Sequence, residues 1–456
     1  MKQLSLNHCL KIKPPAVVSF YGAGGKTTLL RKLALEMTEA GQKVLLTTTT
    51  KMFIPPDIPV FYEEDIKKGI KTLKEHYKHH DVAVLAKQVI EHGKLEGIDP
   101  AAPGELKDQL EVSVLVEADG AKGRPIKGYA EHEPVLPTGS DLIIPVIGAD
   151  ALGAPLLEER VHRLDRLLPL TENKVGGTIT EQIIASAFMY MLKLGQAQAP
   201  QARVYFILNK NDLLESSGST ALKIGRLLSN KDQPAEQLLI VEGKGFNPVR
   251  ITINLVPGKP LVSVACIILA AGQSTRMGCD KLSLKTGHST ILGQTLQQVI
   301  AAGVKDIILI TRPGFDCSEL PGKEQCRIIE NPLYKTGMSS SLQAGLSAVE
   351  ENTQGAIFAL GDQPMVPAEV YSLLCQTYQN NLKLLTAPIY KGKRGNPTLL
   401  DRRTWPDLMQ ISGDKGGRSV INKLTENEVD YIETDLSAIL TDIDSPEDYR
   451  HFLNGR

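Results

Sequence analysis

The chain has six cysteines in 456 residues (Cys9, Cys266, Cys279, Cys317, Cys326 and Cys375) and no C-x-x-C pair among them. That spacing disfavours both a zinc cluster and a secreted disulfide framework, so a reducing, cytoplasmic setting is expected. Long apolar runs are missing too: none reaches the ~18–20 residues that span a bilayer, and the first residues show no basic-then-apolar leader pattern, so no membrane insertion is expected. No block of like charge stands out. Fifty-one basic residues face 52 acidic ones for a formal charge of -1, which argues against a nucleic-acid partner and makes small molecules the expected ligands. Low-complexity segments are absent as well.

What is present is a succession of short runs rich in Val, Ile and Leu: "AVVSF", "KVLLTTTT", "VSVLVEADG", "DLIIPVIG" and "RVYFILNK", then "SVACIILAAG", "KDIILITRP", "GAIFALGD" and "KLLTAPIY". Each has the length of a buried strand. Between many of them lie helix-like segments such as "TLLRKLALEMTEAG", where Leu29, Leu30, Leu33 and Met37 share a face and Gly41 ends the pattern. Strands alternating with helices predict an α/β fold with doubly wound, three-layer domains. A chain this long exceeds one ordinary core. The alternation restarts after the Gly- and Pro-punctuated stretch "GKGFNPVRITINLVPGKPLVS", Gly243 to Ser263, so two domains are expected, 1–258 and 262–456. Their opening motifs differ, which favours a fusion over a duplication.

In such sheets ligands bind beyond the carboxyl ends of the strands, and the first loop is the usual phosphate site. The second half opens with "CIILAAGQSTRMGCDK". Leu269, Ala270, Ala271 and Gly272 let backbone approach a nucleotide closely, and Arg276 and Lys281 supply cations for a triphosphate. By itself this is equally a tight turn with surface cations. In "FALGDQP" an apolar strand ends in Asp362, where a carboxylate suits Mg²⁺ or merely a turn before proline. The serines Ser339 to Ser341 stand where they cap a helix or reach a nucleoside. Asp442 and Asp444 lie in an aspartate-rich turn that either completes a metal site or caps a helix.

Taken together, these elements resemble the molybdenum cofactor cytidylyltransferases over Val262 to Phe452. The signature Leu-Ala-Ala-Gly-x-Ser-x-Arg-Met-Gly-x-x-Lys is matched by Leu269 to Lys281. The Gly-Asp-Gln-Pro, Gly-Asn-Pro and Gly-Asp-x-Gly-x-Arg elements are matched by Gly361 to Pro364, Gly395 to Pro397 and Gly413 to Arg418. Related guanylyltransferases show Leu-Ala-Gly-Gly at the opening, so Ala271 points to CTP. The resemblance implies a Rossmann-like nucleotidyltransferase that moves CMP from CTP to the terminal phosphate of Mo-molybdopterin and releases pyrophosphate. It also implies catalytic roles for Arg276, Lys281 and Asp362. Mg²⁺ falls to Asp362 with Asp444 or Asp442, nucleoside contact to Ser341, and the pterin to Asn396, Asp414 and Arg418.

The first half carries "SFYGAGGKTTLL". Gly22, Gly24 and Gly25 precede a helix, Lys26 reaches outer phosphates, and Thr27 suits Mg²⁺, as in a phosphate-binding loop. Phe20 stands where the first glycine of the full pattern belongs, so the expectation is a P-loop-like NTP-binding domain with a shortened loop. Glu117 and Asp119 end the strand of "VLVEADG", with Asp119 the expected metal-linked carboxylate. "ILNKND" places Asn209, Lys210 and Asp212 in a pattern that binds guanine in many GTPases and is otherwise an ordinary polar turn. GTP or ATP is the expected ligand class here, with the choice between them left open. Together with "TTTTKMFIPP", "VLVEADGAKGRPIKGYAEHEPVLP" and Val161 to Arg163, this half resembles the YqeC-type selenium-dependent molybdenum hydroxylase accessory proteins. That resemblance implies cofactor maturation and molybdenum hydroxylase apoenzymes as partners. His132, between two glutamates, is read as a surface residue. Two other readings stay open: a nucleotidyltransferase with a sugar or polyol phosphate acceptor, and a non-catalytic, nucleotide-switched cofactor carrier.

Overall fold

The computed structural model describes residues 4–213, 217–229, 232–243, 248–272, 277, 279–413 and 416–454. Arg276 and Asp414 lie outside the described residues. The chain divides between Leu261 and Val262 into two units.

The main sheet of the first unit has nine strands: β1 (Val17–Gly22), β2 (Val44–Thr48), β3 (Val60–Tyr62), β4 (Val82–Ala86), β5 (Ser113–Glu117), β6 (Leu142–Gly148), β7 (Arg203–Asn209), β8 (Gln237–Val241) and β9 (Val249–Asn254). Their order is β9-β8-β7-β6-β1-β5-β2-β4-β3, and every pair is parallel except β8 with β9. Apolar residues run without interruption along β1 and β5 because successive side chains enter different cores. Val18, Phe20 and Leu115 pack with Leu29, Leu30 and Leu33 of helix α1 (Lys26–Glu39), whereas Val17, Val114 and Val116 pack with Leu73 and Leu106 from the helices Ile66–His76 and Ala102–Leu110. Each fully buried leucine stabilises the unit by roughly 1.5–3 kcal/mol before cavity effects. The Gly- and Pro-punctuated stretch after residue 243 contains β9, an antiparallel edge strand whose alternation Val249, Ile251, Ile253 against Arg250, Thr252, Asn254 the domain-boundary reading passed over.

The second unit has an eight-stranded sheet: β10 (Ser263–Ala270), β11 (Asp306–Thr311), β12 (Cys326–Glu330), β13 (Thr353–Leu360), β14 (Leu385–Tyr390), β15 (Lys393–Arg394), β16 (Thr398–Asp401) and β17 (Val429–Glu433). The order is β12-β11-β10-β13-β16-β14-β15, with β17 also paired to β14. This sheet is mixed and departs from a purely parallel doubly wound pattern: β16 runs antiparallel to β13 and β14, and β14 turns back into β15. Lys391 and Gly392, both at positive φ (48° and 74°), form that two-residue hairpin turn. Helix α3 (Met338–Ala348) places Leu342 and Leu346 against Ile267, Phe358 and Trp405 on one face. Helices α2 (Ile291–Ala301) and α4 (Ala368–Asn381) pack against each other, α2 touching β10 and α4 touching β14 and β16. Among the described residues no helix is long and apolar enough to cross a membrane.

Candidate functional site

In the second unit, two chain segments are drawn together at the carboxyl ends of β10 and β13. The Gly361 N–H donates to the Leu269 carbonyl at 3.0 Å. A Cβ at Gly361 would lie 3.2 Å from the Ala270 methyl, so small residues at both strand ends let Asp362 emerge beside the first loop. Ala271 is buried and Gly272 exposed.

Lys281 opens a short turn, and its Nζ donates to Asp362 Oδ2 at 2.5 Å and to Asp444 Oδ1 at 2.6 Å. Burial works against the Lys281 charge, and the attraction of Asp362 and Asp444 outweighs it, so its pKa lies above the ordinary lysine value. The aspartate-rich turn is tied to β13's end: the Ile443 N–H donates to the Asp362 carbonyl at 3.1 Å, and Gln363 Nε2 donates to Asp442 Oδ1 at 2.5 Å. Burial, and then the charge of Asp362, raises the Asp442 carboxyl above the usual range. Asp442 thus faces Gln363 and Asp444 faces Lys281. Helix α5 (Pro446–Asn454) holds Asp444 from below, with Asp448 Oδ2 accepting from the Asp444 N–H at 3.1 Å.

Sequence reasoning passed over Asp280 and Arg312. Arg312 donates to Asp280 Oδ2 at 2.7 Å and Ser283 Oγ donates to it at 2.9 Å, fixing the residue before Lys281. The signal was available, since Arg312 follows the strand of "KDIILITRP".

Asp442 also lines a cavity of about 660 Å³ with Asn396, Arg418 and Leu269, over an apolar floor that includes Leu342, Phe358 and Leu400. Ser341 is buried in α3 and accepts from Asn331 Nδ2 at 3.0 Å, so its hydroxyl braces the loop between β12 and α3 and is not among the cavity's lining residues.

In the first unit, Gly22, Gly24 and Gly25 lead from β1 into α1, all at positive φ (107°, 81° and 107°). A Cβ at Gly24 would stand 2.2 Å from the Gly148 nitrogen, so β6 and this loop pack backbone to backbone. Lys26 is buried, donates to the Gly22 carbonyl at 2.6 Å and pairs with Asp119 at 3.1 Å, while Thr27 Oγ1 donates to Glu117 Oε2 at 2.6 Å. Asn209 Nδ2 donates to the Gly24 carbonyl at 2.8 Å, Lys210 pairs with Asp150 at 2.8 Å, and Asp212 is exposed.

Asp119, the carboxylate expected to be metal-linked, stands against the glycine loop and two lysines. It is fully buried, its oxygens accept from the Gly22 N–H at 2.9 and 3.0 Å and from Lys127 at 3.0 Å, and it forms an ion pair with Lys26. It thereby braces the glycine loop. Glu117, raised in pKa chiefly by burial, is the carboxylate beside Thr27.

Lys127 continues the network to Glu133 at 2.8 Å, which also accepts from Arg163. His162, next to it in sequence, is held neutral with a pKa of about 4 by burial and by the Lys127 and Arg163 charges. Reading "AEHEP" by its histidine drew attention to His132, which is exposed; the buried member is Glu133.

Residues 18–165 match the family described as YqeC protein, and residues 266–429 match the MobA-like NTP transferase domain. The chain is 38% identical over 164 residues to the uncharacterized protein YqeC of Escherichia coli (strain K12), a match covering 35% of this chain and 62% of that protein's length. It is 29% identical over 191 residues to the molybdenum cofactor cytidylyltransferase of the same organism, covering 41% of this chain and 94% of that one. Among solved structures, Rv0371c from Mycobacterium tuberculosis H37Rv aligns with 42% of this chain and 98% of its own at 24% identity and a TM-score of 0.38. The chain therefore carries a YqeC domain at its N-terminus and, at its C-terminus, a MobA-like domain of the nucleotidyltransferase family.

Proposed function

We propose that the C-terminal unit transfers CMP from CTP to the terminal phosphate of Mo-molybdopterin, forming a cytosine dinucleotide cofactor and pyrophosphate. The observation that carries this reading is the meeting of Lys281, Asp362 and Asp444, with Asp442 linking that cluster to the cavity lined by Asn396 and Arg418. The likeness to a molybdenum cofactor cytidylyltransferase over 94% of its length supports the acceptor, and Ala271 supports CTP.

A phosphate monoester, with a second pKa near ~6, is already largely dianionic at neutral pH and needs no general base. Its oxygen forms a bond to the α-phosphorus of CTP. The bond to the bridging oxygen breaks, and its electron pair leaves with pyrophosphate. Lys281 offsets the charge that builds on the phosphates, and the small residues at Leu269 to Gly272 admit the nucleotide.

Asp362 and Asp444 present oxygens to one cation, Lys281 Nζ, and fit Mg²⁺, a hard ion commonly held by one or two carboxylates plus phosphate oxygens. Among the described residues no group of three or more His, Cys, Asp or Glu forms a fuller cage. Bound there, Mg²⁺ would supply further charge neutralisation.

The N-terminal unit, in this reading, binds GTP or ATP through a P-loop-like turn, with Lys26 and the α1 N-terminus toward the phosphates. Thr27 and Glu117 are its metal side, and the unit assists cofactor delivery to molybdenum hydroxylase apoenzymes in the cytoplasm.

The test is pyrophosphate release from CTP, GTP or ATP with Mg²⁺, with and without Mo-molybdopterin. Release that requires both CTP and the pterin is expected. Release with a sugar or polyol phosphate and no pterin would replace the acceptor, and tight pterin binding without release would leave a carrier.

A further inference from the structure

The cavity beside Asp442 holds two arginines, Arg394 and Arg418, against that one carboxylate. Arg394, at the end of the β14–β15 hairpin, lines this cavity and is half-buried. Among the described residues its guanidinium has no hydrogen-bond or ion-pair partner. A partly desolvated cation without a counter-ion is costly unless something else supplies the anion.

The backbone beneath it is held firmly. Arg394 pairs with Ile389 across the hairpin, the Gly395 N–H donates to the Pro388 carbonyl at 2.9 Å, and the Asn396 N–H donates to the Ile439 carbonyl at 2.9 Å. A Cβ at Gly395 would lie 2.5 Å from that same carbonyl, so only glycine allows this approach. The segment that clamps Arg394 continues within a few residues to Asp442 and Asp444. Leu269, Phe358 and Leu400 add an apolar wall to this otherwise polar lining, which suits a flat organic body carrying a charged end.

We propose that Arg394 receives the phosphate of the acceptor substrate and so selects a phosphate monoester over its dephosphorylated counterpart. The planar fork of arginine matches phosphate oxygens two at a time. This assignment rests on the proposed nucleotidyl transfer to a phosphate acceptor, and it adds a specificity residue to Asn396 and Arg418.

The experiment compares calorimetric binding of molybdopterin and of dephosphorylated molybdopterin to the full chain, for wild type, Arg394→Ala and Arg394→Lys. Wild type is expected to prefer the phosphorylated form by roughly 10- to 100-fold, the scale of a charge-assisted hydrogen bond. Arg394→Ala is expected to cut that preference below about threefold, leaving affinity for the dephosphorylated form and the KM for CTP unchanged, with Arg394→Lys between. Because Arg394 has no partner to lose, the thermal midpoint of Arg394→Ala should not fall.

An undiminished preference in Arg394→Ala, or an equal loss of affinity for both forms, overturns the assignment. Failure of wild type to bind either form overturns it together with the acceptor reading. Pterin binding without pyrophosphate release overturns the transfer reading alone.

Discussion

Asp362→Asn changes one charge and almost no volume, which makes it the sharpest probe of the C-terminal site. Lys281 is shared between Asp362 at 2.5 Å and Asp444 at 2.6 Å, so the amide leaves it one carboxylate of two. The Lys281 and Asp362 side chains keep 11% and 18% of their exposure. With solvent screening and Asp444 still in place, the fold should lose only about 1 kcal/mol. Catalysis should suffer more, because the amide is a poorer Mg²⁺ ligand and a weaker anchor for the Lys281 ammonium that offsets charge on the reacting phosphates. Removing one preorganised electrostatic group at such a centre typically costs about 10²–10³-fold in kcat, about 2.7–4 kcal/mol. Asp442 provides an internal check: its carboxyl is raised by burial and by the Asp362 charge, so it should titrate lower in the variant. The assay is pyrophosphate release at saturating CTP and acceptor, with thermal unfolding of the same samples. A variant whose kcat stays within about threefold of wild type would refute the electrostatic role given to Asp362.

Asp444→Ala should raise the Mg²⁺ concentration needed for half-maximal pyrophosphate release by an order of magnitude or more, roughly. Asp442→Ala, which loses a bond to Gln363 rather than to Lys281, should change it little; the reverse ranking would make Asp442 the second ligand. In the N-terminal unit, Gly24→Ala forces a methyl to within 2.2 Å of the Gly148 backbone at a φ of 81°. It should cost about 1–3 kcal/mol in unfolding experiments and abolish binding of a fluorescent NTP analogue. Glu36 titrates at about 7, pushed up by burial and held back by its bond from the Asn7 N–H. A raised carboxyl stabilises the fold below its unfolded value of 4.5, and that contribution is lost as pH rises toward 7. Glu36→Gln should therefore unfold at a higher temperature than wild type at pH 8, by at most roughly 3 kcal/mol in stability, with no advantage near pH 4.

Strand runs were the most legible feature. All nine apolar runs quoted from the sequence are strands, because a strand covered on both faces must be apolar at every position and shows itself by composition alone. Cys326–Glu330, with its partly exposed positions, and the four-residue Thr398–Asp401 gave no such signal. The antiparallel turn back through Lys391 and Gly392 was equally hidden, so the second sheet read as parallel where it is mixed. Among candidate site residues, those at strand ends were visible. Residues that meet only through packing, such as Lys127 with Glu133, or Arg312 with Asp280, were not, since their partners come from separate loops.

The sequence by itself determined the α/β class, the glycine-rich turn after β1 and the Lys281 and Asp362 positions, because strand ends and small-residue loops are written in local composition. Tertiary structure alone decided which carboxylates meet. Lys281 lies 163 residues from Asp444 and 81 from Asp362, and only the order of strands brings the three together. The same holds for Asp119, whose place at a strand end looked suited to a metal. The fold surrounds it with the Gly22 N–H, Lys26 and Lys127, partners from separate segments that its local sequence did not announce.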